Sequence, residues 1–166
     1  MRVRVETRRD RDAIAAVAEA AFGKAREARM IDAIRASDGF VPELSLVAEE
    51  EGRIVGHVLL SYVELEGASR RLLELGPMSV LPERQRRGIG GELVRAALGA
   101  AEARGEPLVL VLGHPSYYPR FGFRRASELG LAPPDPRIPD AAFMAMPLAA
   151  YDPALRGRVV FPPAYG

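Results

Sequence analysis

The chain has no cysteine, two histidines, one lysine and no long apolar run. Without cysteine there can be no disulfide, no thiolate metal site and no Cys nucleophile. His57 and His114 are too few for most histidine-based metal sites, so no metal is expected. No apolar stretch reaches the roughly 18 to 20 residues that span a bilayer. The charged opening "MRVRVETRRDRDA" has no apolar region after it, so it is not a secretory signal. A cytoplasmic protein without membrane contact is the expectation. Excess charge of one sign is also lacking: 23 basic residues face 22 acidic ones. A dedicated nucleic-acid binder would carry a basic surplus, so no nucleic-acid partner is expected.

What remains is an ordinary globular composition, 48 % apolar and 27 % charged over 166 residues. That length suits one domain, taken as 1–166, with a real core. "RVRVE" alternates as a short strand, and Ile14, Val17, Ala18, Ala21 and Phe22 then recur at helical spacing. Met30, Ile31 and Ile34 mark a second helix ending near Ser37-Asp38-Gly39. Two strands should form a hairpin at Glu50-Glu51-Gly52, with the triple glutamate 49–51 as a solvated turn. "RRLLELGPMSVLP" is a strand interrupted at Gly76-Pro77, where proline cannot donate to a ladder, so a bulge is expected. A helix over 89–104 places Ile89, Leu93, Ala97 and Ala100 on one face, with Gly105 as its stop. "PLVLVLG" reads as a strand buried on both faces. The proline-rich 127–140 reads as a loop and "AFMAMPL" as a last strand, while "VVFPPAYG" carries no clear pattern. The order predicts an α/β or α+β domain.

Between the interrupted strand and the third helix lies "RQRRGIGGEL", arginines set directly against glycines. Free N–H groups and the helix dipole make such a start an anion site. Glycine lets the main chain approach a ligand closely, and arginine forks suit phosphate. A P-loop would need Gly-Lys-Ser/Thr, which is absent. A dinucleotide fingerprint would need glycine where Leu93 stands.

Gln85-Arg86-Arg87-Gly88-Ile89-Gly90 instead resembles the Gln/Arg-x-x-Gly-x-Gly/Ala motif of the GCN5-related N-acetyltransferase (GNAT) superfamily. "GHPSYYPRFGF" is similar to the ending seen in its YhbS-like bacterial branch. The resemblance covers roughly residues 2–126 in element order and is tight over 72–125. It implies a mixed central sheet with a bulged, splayed strand pair and flanking helices. It also implies acetyl-CoA as cosubstrate, held through Gln85, Arg86, Arg87, Gly88, Ile89, Gly90 and Gly91 at the pyrophosphate. Main-chain groups of Met78, Ser79 and Val80 would meet the pantetheine.

Acetyl transfer from a thioester to an amine poses two proton problems. A lysine-like amine, with pKa about 10.4, must lose a proton before it attacks. The departing thiolate leaves more readily if it receives one. Tyr118 matches the family's Tyr-x-x-x-Gly-Phe position, which implies an acid; its neighbour Tyr117 alternates away. Glu74, four residues before Met78, matches the glutamate base of the histone-acetyltransferase branch. An unperturbed glutamate, pKa about 4.3, is a weak base, so burial or a water relay would be required. Its structural alternative is a strand-edge charge facing solvent. His114 is a second candidate base, and His57 reads as a structural strand residue. The acceptor pocket would be walled by Phe22 to Met30 and by the 131–140 loop.

The expected activity is therefore N-acetyl transfer from acetyl-CoA to a primary amine by direct attack. The alternative is a non-catalytic acyl-CoA-binding regulator on the same fold. The oligomeric state, a homodimer included, stays open. Replacing Arg86 and Arg87 by Ala should mainly raise the acetyl-CoA KM in steady-state assays. An oligonucleotide should bind only weakly at physiological salt; tight, sequence-dependent binding would overturn the assignment of these arginines.

Overall fold

The computed structural model describes all residues, Met1–Gly166. Twelve main elements follow in order: β1 (Arg2–Val5), α1 (Arg11–Phe22), α2 (Arg26–Arg35), β2 (Phe40–Glu50), β3 (Arg53–Leu65), β4 (Leu72–Val80), α3 (Ile89–Ala103), β5 (Leu108–Leu112), β6 (Arg124–Arg125), β7 (Leu131–Ala132), β8 (Phe143–Pro147) and β9 (Gly157–Val160). The sheet runs β1-β2-β3-β4-β5-β8-β6, with β9 joined to the end of β3 and to β7. Only β4–β5 and β7–β9 are parallel. The fold is the expected mixed sheet with flanking helices. β8 is not the last strand, because Gly157–Val160 pairs with Glu64 and Leu65 of β3.

Alternation along β3 decides what covers each face. Gly56 meets α3: a Cβ there would stand 3.0 Å from Leu93 Cδ1 and 3.3 Å from Ile89 Cγ2. The next residue, His57, points to the opposite face, where α2 lies. There its Nε2 is 2.9 Å from Ser45 Oγ, and Ser45 donates to the Glu6 carboxylate. Glu6 also pairs with Arg35 of α2 at 2.9 Å. This buried network ties β1, β2, β3 and α2 together and accounts for His57 structurally. Burial lowers the His57 pKa, and the Glu6 carboxylate opposes that shift. A neutral ring therefore serves as a hydrogen-bonding partner inside the core.

β5 is buried on both faces, as expected: Val109 and Val111 join the large core, while Leu108 and Leu110 join a smaller one. That second core lies under Ala126, Leu129, Leu131 and Val159. The 127–140 segment is thus an ordered cover, with Leu131 paired to Gly157 and Arg125 bound to Asp140 at 3.1 Å. The β2–β3 hairpin turns at Glu51 and Gly52, both at positive φ (49° and 78°), as a tight two-residue loop requires. The triple glutamate is more than a solvated turn: Glu49 pairs with Arg4 at 3.3 Å and Glu50 approaches Arg84 at 3.7 Å. On α1 the buried residues are Ile14, Val17 and Ala18, whereas Phe22 at its end is 39 % exposed. On α3 it is Ala101 rather than Ala100 that is fully buried.

Because α3 rests on bare backbone at Gly56, Gly56→Val should push its first turn off the sheet. Urea unfolding should show a loss of about 1–3 kcal/mol. Unchanged stability would mean that Leu93 and Ile89 can give way.

Candidate active site

β4 and β5 pair at Leu73↔Val109, Glu74↔Leu110 and Leu75↔Val111, and there the ladder stops. The next two residues are Gly76 and Pro77, joined by a cis peptide bond. On the other edge the β3 register jumps from Leu60↔Leu75 to Val58↔Met78, so two residues of β4 stand against one of β3. This is the bulge that proline dictated, and beyond it β4 has no partner on its β5 side.

The main chain of the unpaired stretch divides by alternation. Leu81 donates to Val55 O at 2.9 Å, so Leu81 and, two residues back, Ser79 face β3. Met78 and Val80 face the open edge. Of the three positions expected to offer main-chain groups, Ser79 is therefore turned away, because its groups belong to the β3 ladder. Val80 O is also engaged: it accepts the Gln85 side-chain amide at 3.0 Å. Gln85 thus acts as a clip between the strand and the glycine-rich turn.

That turn reaches α3 through Arg86 (φ 63°) and Gly88 (φ 84°). Two left-handed residues curl the chain so that the first N–H groups of α3, at Ile89, Gly90 and Gly91, head the helix unpaired. Arg86 and Arg87 are exposed and make no ion pair, whereas Arg84 is held by Glu50. A Cβ on Gly90 would stand 3.0 Å from the Tyr117 hydroxyl, so a side chain here would press on that phenol. The cradle suits an anion: free amides, a helix N-terminus and two unpaired guanidinium groups.

At the inner end of the wedge lies Glu74, only 3 % exposed. Its carboxyl accepts the Leu112 N–H, and Oε2 has no protein partner. Burial pushes its pKa up to about 8, with the Leu112 hydrogen bond working in the opposite direction. The alternative of a solvent-facing edge charge is thereby ruled out. Tyr118 is also buried, 8 % exposed, and its ring lies on Gly113, where a Cβ would collide with Cε2. Pro119 and the left-handed Gly122 (φ 104°) confine it to one short turn, Tyr118–Phe121. Edge-to-face contacts with Tyr117 at 5.1 Å and Phe123 at 5.5 Å fix the ring. Burial raises its pKa, and the nearby charges of Tyr117 and Glu74 add to the effect, so the phenol stays protonated.

The remaining candidates point elsewhere. Tyr117 directs its hydroxyl to Gly90. The His114 ring is exposed, and its carbonyl accepts the Tyr117 N–H at 3.1 Å, which makes it a turn residue. Of the 131–140 segment, Leu131 and Ala132 pair with β9. Near Arg26, Arg29, Met30 and Ala33 the chain's last residues, Ala164 and Gly166, border a depression of about 210 Å³.

Two site residues escaped the sequence analysis. The Ser61 hydroxyl bonds the Tyr165 hydroxyl across 104 residues of chain. Ser61 is also the β3 partner of Glu74. Burial raises the Tyr165 pKa, the Glu74 charge adds to it, and the Ser61 hydrogen bond opposes both. No local pattern marks either residue. No group of three or more His, Asp and Glu side chains converges as a metal site, and no helix is long and apolar enough to cross a membrane.

Comparison with known proteins places this geometry. The acetyltransferase (GNAT) domain family matches residues 2–126. The N-acetyltransferase YjhQ of Escherichia coli K12 is 37 % identical over 145 residues, which cover 84 % of this chain and 80 % of YjhQ. The E. coli YhbS structure in complex with CoA superposes with a TM-score of 0.89 at 27 % identity, covering 99 % of this chain and 91 % of that one. A GNAT family acetyltransferase from Brucella melitensis in complex with acetyl-CoA gives 0.82 at 34 % identity, covering 99 % and 97 %.

Glu74 should reveal its burial in stability. Its folded pKa lies above its unfolded one, so its stabilising contribution is complete below pH about 4.5 and is lost as pH rises through about 8. Glu74→Gln keeps the shape without the charge. At pH 9 the variant should melt about 3 °C or more above wild type, with the difference shrinking toward pH 5. A variant less stable than wild type at pH 9 would place the ionised carboxylate in a favourable environment instead.

Proposed function

The chain belongs to the GNAT acetyltransferase family, and from that premise we propose that it transfers the acetyl group of acetyl-CoA to a primary amine by direct attack. Glu74 is the base and Tyr118 the acid. The observation that carries this reading is their convergence: a buried carboxyl with pKa about 8 and a buried, protonated phenol within its electrostatic reach, where β4 and β5 part.

Acetyl-CoA, when bound, supplies an acetyl group activated as a thioester. The amides of Ile89, Gly90 and Gly91, with Arg86 and Arg87, would hold its pyrophosphate, and the open edge at Met78 and Val80 would run beside its pantetheine arm. A primary amine arrives mostly as ammonium. Glu74 takes one of its protons, and a carboxylate of pKa about 8 is a far better match for that task than an exposed glutamate. As the amine nitrogen bonds to the acetyl carbon and the carbon–sulfur bond breaks, the Tyr118 hydroxyl donates to the sulfur. With its pKa raised, the phenol acts first as a hydrogen-bond donor to the developing negative charge, the proton following as the thiolate leaves. The second amine proton, shed as the amide forms, restores the Tyr118 phenol, so the products are the N-acetylated amine and free CoA thiol. No residue is acylated, which agrees with a chain lacking cysteine.

Acetyl-CoA should raise the melting temperature in proportion to the logarithm of its concentration, and Gly90→Val should abolish that shift. With a weakly basic amine, whose own titration lies far below neutrality, kcat/KM should fall about tenfold per pH unit below about 8. That limb should vanish, at a low rate, in Glu74→Gln. Tyr118→Phe should lower kcat by about a hundredfold or more and leave the acetyl-CoA Kd unchanged, with Tyr117→Phe as the control. If Tyr118→Phe keeps the wild-type rate while Tyr117→Phe loses it, the acid is Tyr117. Binding with no turnover across a broad amine panel would favour a regulator.

A further inference from the structure

Glu74 and Tyr118 are both almost fully covered, so what covers them on the acceptor side decides which amine can enter. Ser61 and Glu74 are register partners on β3 and β4 and therefore project to the same face of the sheet. That face is the one on which His57, four residues before Ser61, meets the Glu6–Arg35 pair, so it is the α2 face. Over it lies the short turn Pro163–Tyr165, whose neighbours Ala164 and Gly166 stand beside Arg26, Arg29 and Met30 of α2. Its large inward side chain is Tyr165, beside the smaller Ala164. The hydroxyl is held by Ser61, the ring packs against Phe161 at 4.9 Å between centroids with the planes tilted by 39°, and the phenol lies within electrostatic reach of Glu74.

We propose that Tyr165 is a specificity-determining residue, its ring bounding the acceptor's approach to Glu74 and favouring a primary amine on an unbranched carbon over one on a branched carbon. The inference rests on the transfer reaction proposed above. The Ser61 hydrogen bond holds the phenol beside the strand partner of Glu74, and in this proposal the ring, not its hydroxyl, sets the width. A substituent on the carbon bearing the nitrogen would have to displace the ring or break that hydrogen bond.

Two measurements test it on the full chain. The first compares kcat/KM for an unbranched and an α-branched primary amine in wild type, Tyr165→Phe and Tyr165→Ala. Tyr165→Ala should shift the ratio toward the branched amine by roughly tenfold or more, the size of a pocket effect of a few carbon atoms. Tyr165→Phe should keep the wild-type ratio, and both variants should keep the acetyl-CoA Kd. An unchanged ratio in Tyr165→Ala, or an equal loss of acetyl-CoA affinity, overturns the inference. The second needs no turnover. A carbodiimide with an added amine couples to protonated carboxyl groups, and peptide mass spectrometry locates the label. Glu74 should be labelled faster in Tyr165→Ala than in wild type or Tyr165→Phe, while Glu106, buried at another place in the fold, stays protected in all three. Equal labelling of Glu74 in wild type and Tyr165→Ala, or labelling of Glu106 together with Glu74, overturns the cover assigned to Tyr165. Wild type that binds acetyl-CoA but acetylates no amine would overturn the transfer reaction, and the labelling then decides the place of Tyr165 by itself.

Discussion

The site depends on one interrupted ladder. β4 pairs with β5 only as far as Leu75 and Val111, and Gly76-Pro77 prevents the pairing from continuing. A proline has no N–H to give, so the sheet opens there at little further loss, because the hydrogen bond was never available. From that opening follow the free main chain at Met78 and Val80, the wedge that receives the Glu74 carboxyl, and the room in which the Tyr118 turn can fold inward. A continuous sheet would seal all three. The β3 side of β4 resumes its register two residues later, so the opening is local and the strand keeps its place.

The wedge gathers groups that a stable core would exclude. A carboxyl at 3 % exposure with one oxygen unpaired is costly when ionised, and burial resolves the cost by raising its pKa. The same low-dielectric surroundings keep two phenols protonated beside it. The contrast with His57 is informative. His57 is also buried, on the neighbouring strand β3, yet it sits in a network with Ser45, Glu6 and Arg35 that braces β1, β2 and α2. Each keeps one buried atom unpaired, His57 Nδ1 and Glu74 Oε2, but only His57 is tied by its other nitrogen into a side-chain network that serves the fold.

Rigid surroundings hold the two ends of the site in register. α3 rests directly on Gly56, which fixes the height of its N-terminal amides above the sheet. Tyr117 links that end to the Tyr118–Phe121 turn by placing its hydroxyl over Gly90, while the adjacent Tyr118 turns inward over Gly113. Successive residues of a tight turn project in different directions, so a pair of tyrosines serves both ends of the cleft.

Local chemistry made much of this legible from the residues alone. Proline at position 77 demands a break in a strand, glycines at 88 and 90 permit a close main-chain approach, and apolar alternation fixes β5 as doubly buried. Each is a property of a short stretch, decided by sterics and hydrogen-bond capacity whatever lies around it. The burial of Glu74, the solvent exposure of His114 and the turning of Ser79 toward β3 depend on which strand or loop happens to lie alongside. Tyr165 is the extreme case: it meets Ser61 across 104 residues, within a tail whose composition carries no periodic signal. Proximity in space shifts a pKa or covers a carboxyl, and a linear pattern records proximity only along the chain. The strand break and the glycine-rich start of α3 were therefore written in the sequence, whereas the burial of the Glu74 carboxyl was decided by the packing around it.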